Sequence, residues 1–277
     1  RACPSRSPGR GLARDRRARA ALRLAPARRA ADSAALAAPM TTAPQAAPPH
    51  RWIAIRYGSL FLILGASVAA LAALIGRAGW LLLWPALSVT LVGLAYVSDR
   101  PAMLGKRADG TIAGWALGLL APYSLLALIL VRTERLLSPE DAFNEVAPGL
   151  WVGRWPKARE LPAGARRVVD LTAELVADRA IRTRETYLCA PALDGTAPAP
   201  AALRSLVARL RDESGLFIHC ASGHGRSATL AAALLIARGA ASSPAEAEQL
   251  MQRERPGIRI NALQKSAVVL ALALDAP

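Results

Sequence analysis

Cysteine and histidine are scarce in this 277-residue chain, with three of each. Cys3, Cys189 and Cys220 are too few and too scattered for a disulfide scaffold or a zinc cage. The three histidines offer no ligand spacing, so the sequence indicates no metal and no cofactor. Lysine is nearly missing: only Lys106, Lys157 and Lys265 occur, and arginine supplies the rest of the 35 basic residues. With 20 acidic residues the net charge is +15. An arginine-over-lysine bias in an alanine-rich chain reads as GC-rich coding, not as function. What is plentiful is apolar: hydrophobic residues make up 53%, too many for a chain that is disordered throughout.

The charge is concentrated at the start. Residues 1–39 hold ten arginines and two aspartates and lack aromatics and any sustained apolar period. The Arg- and Pro-rich stretch 1–50 is therefore expected to be disordered. A basic arm for nucleic acid or anionic lipid is one reading of it. The favoured reading is translated upstream sequence, because the chain opens on Arg1 and Met40 begins MTTAPQAAPPHRW, a plausible start. No nucleic-acid partner is expected.

Three uncharged apolar runs follow, at 57–76, 80–97 and 112–131. At about 1.5 Å per residue each covers roughly 27–30 Å, the thickness of a bilayer core. Trp52, Tyr57, Trp80 and Trp84 stand near the run ends as interfacial anchors do. Pro85 and Pro122 lie inside runs, which lipid-embedded helices tolerate. The expectation is a membrane domain over 51–135 with about three transmembrane helices, the first two forming a hairpin. Three crossings would put Arg51, Arg56, Arg100, Lys106 and Arg107 on one side and Arg77, Arg132 and Arg135 on the other. That weak majority places the C-terminal domain outside, whereas the chemistry described next suits the cytosol. A re-entrant second run would remove the conflict. The localisation expected is an integral inner or plasma membrane protein with a cytoplasmic catalytic domain.

From about residue 140 short strands alternate with amphipathic helices. Strands are expected at 150–153, 167–171, 186–189 and 216–219, and helices near 199–213, 226–238 and 261–274. Leu203, Leu206, Val207 and Leu210 recur at helical spacing. Another helix starts with Ser243 as N-cap, Pro244 in its first turn and Glu246 completing a capping box. Such alternation predicts an α/β domain over 140–277, a central sheet flanked by helices and preceded by the transmembrane helical segment.

The strand 216–219 runs into Cys220-Ala221-Ser222-Gly223-His224-Gly225-Arg226-Ser227 and then a helix. A loop of that size can wrap backbone N–H groups around a tetrahedral oxyanion, with the positive end of the helix aimed at the same place. Gly223 and Gly225 permit the left-handed or close-approach conformations such a nest needs. Arg226 can grip two phosphate oxygens with its planar fork. Cys220 at this electropositive end is expected to be held as thiolate and to attack phosphorus.

The stretch HCASGHGRSAT resembles the HCxxGxxRS/T signature of the cysteine-dependent dual-specificity and protein tyrosine phosphatases. VAPGLWVGRWP, VVDLTAE and RPGIRINALQKSAV are similar to other segments of that family, so the likeness spans roughly 145–275. The resemblance implies a dual-specificity-phosphatase-like fold and a phosphomonoester hydrolase acting through a phosphocysteine, without metal or cofactor. It implies Asp194 as the general acid, with Asp170, Glu174 and Asp212 as weaker candidates that read better as structural or solvated. Ser227 would ease departure of the cysteine sulfur. His219 would orient the loop, or be a plain core histidine; His224 would face substrate or solvent. Asn261 and Gln264 resemble the family's water-positioning segment. The expected substrate is a phosphorylated protein. A phospholipid is the alternative, and a catalytically silent phosphate-binding module a further one. Cys189 is expected on a strand beside the catalytic one, where it could form a reversible disulfide with Cys220; a small buried hydrophobe is the favoured reading.

Overall fold

The computed structural model describes residues 51–273, so the expectations for 1–50, Met40 and Cys3 lie outside the described residues. Helices α1 (Trp52–Ile75) and α2 (Trp80–Ser98) are joined by a tight turn at Gly76–Gly79 and pack antiparallel. Small residues make the seam. Ala54, Gly58, Gly65 and Ala72 are the buried positions of α1. A Cβ on Gly58 would lie 2.6 Å from Val97 Cγ2, and one on Gly65 would lie 2.3 Å from Thr90 Oγ1. Apolar helices associate this way where the surroundings are as apolar as their own side chains. Large residues point outward instead: Leu60, Ile63, Leu74 and Leu81 are all at least 60% exposed. The stretch Trp52–Ser98 is long and apolar enough to cross a membrane, by length and composition.

The third apolar run is not the single helix expected over 112–131. It is broken at Leu120 into α3 (Gly114–Leu119) and α4 (Ala121–Leu137). Pro122 causes the break, because it has no N–H to return to the Gly118 carbonyl and its ring crowds the preceding turn. Trp84 on α2 supplies what the proline removes: its indole N–H donates to the carbonyls of Gly118 and Leu119, each at 3.2 Å. Just past the break, the Tyr123 N–H donates to Ser88 Oγ of α2 at 3.4 Å. The run begins where the Ala113 N–H bonds the Gly105 carbonyl. It ends with Glu134 and Arg135 bonded to Ser222 and Glu160 of the C-terminal domain. It therefore leaves toward the same domain from which it set out, and it is the third run, not the second, that turns back.

The C-terminal domain carries a five-stranded sheet of β1 (Phe143–Ala147), β2 (Leu150–Gly153), β3 (Arg167–Thr172), β4 (Tyr187–Ala192) and β5 (Leu216–His219), in the order β1-β2-β5-β3-β4. Only β1 runs antiparallel to its neighbour. A single turn of helix, α5 (Arg179–Arg182), precedes β4. The remaining helices are α6 (Pro200–Leu210), α7 (Arg226–Ala237), α8 (Pro244–Glu254) and α9 (Ala262–Ala273). Strand residues alternate between two cores, as a two-unit period requires. Val169, Leu216 and Ile218 pack with α6 to α9, whereas Val168 and Phe217 pack with Ile181, Trp151 and Tyr187. Ser243 Oγ caps α8 by accepting from the Glu246 N–H, but the Glu246 carboxylate bonds Ser242, not Ser243.

The α/β domain does not begin cleanly at residue 140. The segment between α2 and α3 is built into it. Lys106 Nζ is fully enclosed and donates to Asp170 Oδ2 at 3.0 Å, to Thr172 Oγ1 at 3.2 Å and to the Leu175 carbonyl. The Ala177 N–H bonds the Gly110 carbonyl. Tyr96, Leu104, Ile112, Ala116 and Leu120 form one apolar cluster with Ala173 and Leu193, which follow β3 and β4. Burial pushes the Asp170 carboxyl up, but the Lys106 ammonium, with His219 and the Thr172 and Tyr187 hydroxyls, more than reverses this and holds it well below the usual carboxylate range.

Breaking a buried pair leaves a bare charge and costs ~3–5 kcal/mol. Lys106→Met is therefore expected to lower the chemical-denaturation midpoint of the catalytic domain in the full chain. Because Asp170 titrates lower folded than unfolded, its contribution is complete above pH ~4, where the free carboxyl ionises, and is lost as pH falls below that value. Thermal unfolding of the native chain should show that acid-side loss, and the Lys106→Met chain should show less of it.

Candidate active site

Three strands deliver the site. Cys220 follows β5, Glu174 follows β3 and Asp194 follows β4, so all lie off the carboxyl ends of parallel strands. The loop from Cys220 to Arg226 is turned inside out by its surroundings. The Ala221 carbonyl accepts from the Trp155 N–H, that of His224 from the Arg259 N–H, and that of Gly225 from the Thr229 N–H. Arg255, only 1% exposed, donates from Nη2 to the Ser222 carbonyl at 3.0 Å and from Nε to the Gly223 carbonyl at 3.1 Å. Five consecutive carbonyls thus face outward. Across each trans peptide the N–H points opposite its carbonyl, so the amides of this loop converge inward. The Gly223 N–H lies 3.2 Å from Cys220 Sγ, and Ser227 Oγ lies 3.3 Å from the same sulfur.

Gly223 cannot be replaced in this ring. Its φ is +81°, and a Cβ would come within 2.4 Å of the Gly153 carbonyl carbon. Gly225 has ordinary φ but sits against Gln264, whose Nε2 would be 3.0 Å from a Cβ there.

Arg226 is buried and doubly held. Nη1 and Nη2 donate to the two Glu174 carboxylate oxygens at 2.8 and 2.7 Å, and Nη1 also reaches the Ala192 carbonyl at 2.9 Å. Asp194 Oδ1 lies 3.1 Å from Nη2, with the Asp194 side chain 72% exposed. Nε is buried and has no partner among the described residues. The edge formed by Nε and Nη2 is thus the side of the fork left for an anion. Burial lowers the Arg226 pKa, but Glu174 and then Asp194 raise it well above the usual value, so the cation is secured. Burial raises Glu174, and Arg226 reverses that shift, keeping the carboxylate ionised.

Residues 156–268 match a family model described as the DSP-PTPase phosphatase domain of PTP-SAK, a Swiss Army Knife protein. They belong to the dual-specificity phosphatase family. The enzyme is a cysteine-based phosphatase. Among solved structures, the phosphatase domain is similar to Tk-PTP in its active form, at 28% identity over 47% of this chain and 95% of that one, with a TM-score of 0.40. PTPMT1 in complex with PI(5)P shares 22% identity over 49% and 100% of the two chains, with a TM-score of 0.42. Human DUSP28 shares 22% over 50% and 98%, with a TM-score of 0.38. No curated protein sequence matches the chain.

Other expected residues of the phosphatase domain fall around this ring in distinct ways. Asn261 Nδ2 donates to the Gly195 carbonyl at 2.8 Å and Gln264 Nε2 to the Thr196 carbonyl at 2.9 Å, tying the Asp194 loop to the head of α9. His219 is buried and keeps Nδ1 within 3.4 Å of the Cys220 carbonyl; burial lowers its pKa against the opposing pull of Asp170. His224, its side chain 28% exposed, is tied to Glu140: its Nε2 is 2.6 Å from Glu140 Oε2. Ser222 Oγ donates to Glu134 Oε2 on α4 at 2.7 Å. Cys189 is not on a strand beside the catalytic one, because β3 lies between β4 and β5. Burial, with Asp170 nearby, pushes its thiol up to about 12, which suits a small hydrophobe and not a redox partner of Cys220.

Four contributors escaped sequence reasoning. Glu174, read as structural or solvated, grips the Arg226 fork. Arg255 holds two loop carbonyls, Glu140 bridges His224, the Gly257 N–H and Arg255, and Glu134 reaches in from α4. The signal for Arg255 and Glu174 lay in the segments RPGIRI and VVDLTAE, but neither motif says which side chain turns inward. Misplacing a catalytic group by about 1 Å can cost ~100-fold. Glu174→Gln, which leaves the fork half-held, is expected to lower kcat/KM on an aryl phosphate by about 10–100-fold; an unchanged value would show that the fork needs no holder.

Proposed function

We propose that the chain is a membrane-anchored phosphomonoester hydrolase that works through a phosphocysteine intermediate. The observation that carries this reading is the inward ring of amides around Cys220 Sγ, closed by the unpartnered Arg226 Nε. The Cys220 thiolate attacks phosphorus in line, and the alcohol oxygen leaves with a proton from Asp194. Loop amides from Ser222 to Arg226 and the Arg226 fork hold the equatorial oxygens as charge spreads over them. Ser227, 3.3 Å from the sulfur, donates to it as water attacks phosphorus and the S–P bond breaks, and Asp194 takes the proton from that water. Inorganic phosphate leaves and the thiolate is restored. His219, Asn261 and Gln264 act at one remove, by fixing the loops on which Cys220 and Asp194 sit.

Cys220→Ser in the full chain is expected to abolish hydrolysis of an aryl phosphate. Asp194→Asn should lower kcat by about 10²–10⁴-fold on substrates with poor leaving groups, and less on an aryl phosphate whose leaving group needs no acid. Equal activity of the native and Cys220→Ser chains would end the cysteine mechanism.

The anchor is proposed to be the α1–α2 hairpin, with the break between α3 and α4 dipping beside it. This topology supports a cytoplasmic catalytic domain better than three crossings do. Arg51, Arg56, Arg100, Lys106, Arg107, Arg132 and Arg135 all fall on the catalytic side, and Arg77 stands alone at the hairpin turn. Seven against one is a decided positive-inside bias. In intact cells, Arg77→Cys should react with a membrane-impermeant thiol reagent added outside. Labelling only after the membrane is opened would reverse the orientation.

A further inference from the structure

We infer that the phosphatase takes its phosphomonoester from a bilayer lipid, through a mouth that α4 and the α1–α2 hairpin hold at head-group depth. The inference rests on the reaction proposed above and takes up the phospholipid alternative in preference to the phosphoprotein.

Both walls of the mouth come from the apolar segments. On one side the hairpin's open end touches the Asp194 loop. The Tyr96 hydroxyl donates to the Asp194 carbonyl at 3.1 Å, and a Cβ on Gly195 would meet Tyr57 Cε2 at 2.9 Å. On the other side α4 passes from that loop to the catalytic loop. Its start, Tyr123, packs on Phe61, which packs on Tyr96, and its end, Glu134, bonds Ser222. Beside it, a cleft between α4 and the outer side of the catalytic loop is lined by Val131 and Glu134 on the helix and by Arg154, Ala221, Ser222 and His224 on the domain; Cys220, Arg226 and Asp194 are not in its lining. The Arg154 Nε is buried with no partner among the described residues.

The opposite face of α4 is uncovered and mainly apolar, broken by Arg132 and Thr133. Leu125, Leu126, Ile129, Leu130, Leu136 and Leu137 recur at helical spacing and are each at least half exposed. One face against protein and one bare row of leucines and isoleucine is the pattern of a helix lying in a membrane interface. Its occupant is fixed by continuity, because the same chain enters the hairpin whose outward leucines need lipid. At ~1.5 Å per residue, α1 is ~36 Å long against a ~30 Å hydrocarbon core. About one turn at its open end therefore stands among the head groups, which puts Tyr57, Tyr96 and the Asp194 loop at the level of lipid phosphates. A phosphorylated side chain on a folded protein would have to enter between α4 and the bilayer to reach Cys220. A lipid head group is already there.

The test uses the full chain in detergent and in phosphatidylcholine vesicles. Probes are an aryl phosphate, a tyrosine-phosphorylated peptide, vesicle-borne phosphatidylglycerol phosphate and its water-soluble head group, glycerol 3-phosphate. Confinement to one surface should raise kcat/KM for the vesicle-borne lipid about 10–100-fold above the soluble head group and the peptide. In a Leu126→Glu, Leu130→Glu double variant, the ratio of lipid to aryl phosphate turnover should fall about tenfold or more, since each charge opposes seating of α4. A peptide turned over as well as the lipid, or a ratio untouched by the double variant, overturns the lipid assignment while leaving the phosphatase standing. An inert aryl phosphate would instead bring down the reaction on which it rests.

Discussion

The chemistry of this fold depends on a loop whose carbonyls are all engaged from outside. Left to itself, a run of small residues such as 221–225 would present both polar edges of its peptides to solvent and adopt many shapes. Here five donors from elsewhere in the chain take the five carbonyls: the amides of Trp155, Thr229 and Arg259, and two nitrogens of Arg255. The inward direction of the amides follows from peptide planarity alone. An anion site made this way needs no reorganisation when charge develops, which is what gives preorganised donors their catalytic value. It also explains why a buried arginine, costly to desolvate, is kept where it contacts no substrate. Arg255 is stabilised by the carbonyls it orients and by Glu140.

The apolar segment and the catalytic domain form one construction. Lys106, Tyr96 and Glu134 come from three places between α2 and β1, and each ends on a different part of the site: the strand end at Asp170, the Asp194 loop and the catalytic loop. A tether would need none of these contacts. Lys106 in particular is a buried ion pair, which contributes little net stability over an apolar substitute. It does fix one arrangement of the domain on the apolar helices, because any other leaves Asp170 charged and alone.

Much of this was legible in the residues. Short apolar runs placed four of the five strands, and helical spacing with cap signals placed the four longer helices of the α/β domain; the single turn α5 gave no such signal. The catalytic loop was legible because its chemistry demands particular residue types at fixed spacing. The first strand, Phe143–Ala147, was not, because its polar Asn144 and Glu145 give no alternation. The third apolar run misled for a related reason. Hydropathy records what surrounds a segment but not its path, and the information was in Pro122 together with a tryptophan on another helix that could satisfy the freed carbonyls. Glu174 shows the same limit at the site. An acidic residue in a strand-end motif reads as a turn until Arg226, 52 residues away, is brought against it.

The contacts of Arg226 also order the events of the proposed reaction. Two carboxylates share its fork, but they are not equivalent. Glu174 is enclosed and takes both terminal nitrogens, whereas Asp194 is 72% exposed and holds only Nη2. An arriving phosphate dianion needs Nη2 and the free Nε together, and it repels both carboxylates. The weaker, solvated contact yields first. Displacing Asp194 from Nη2 frees the bidentate edge and releases the side chain from the cation; in the proposed reaction it takes up a proton from solvent and then faces the alcohol oxygen that must be protonated. Glu174 stays, offsetting part of the guanidinium charge so that inorganic phosphate is not held too tightly to leave. A single arginine between one fixed and one movable carboxylate thus couples substrate binding to placement of the proton donor.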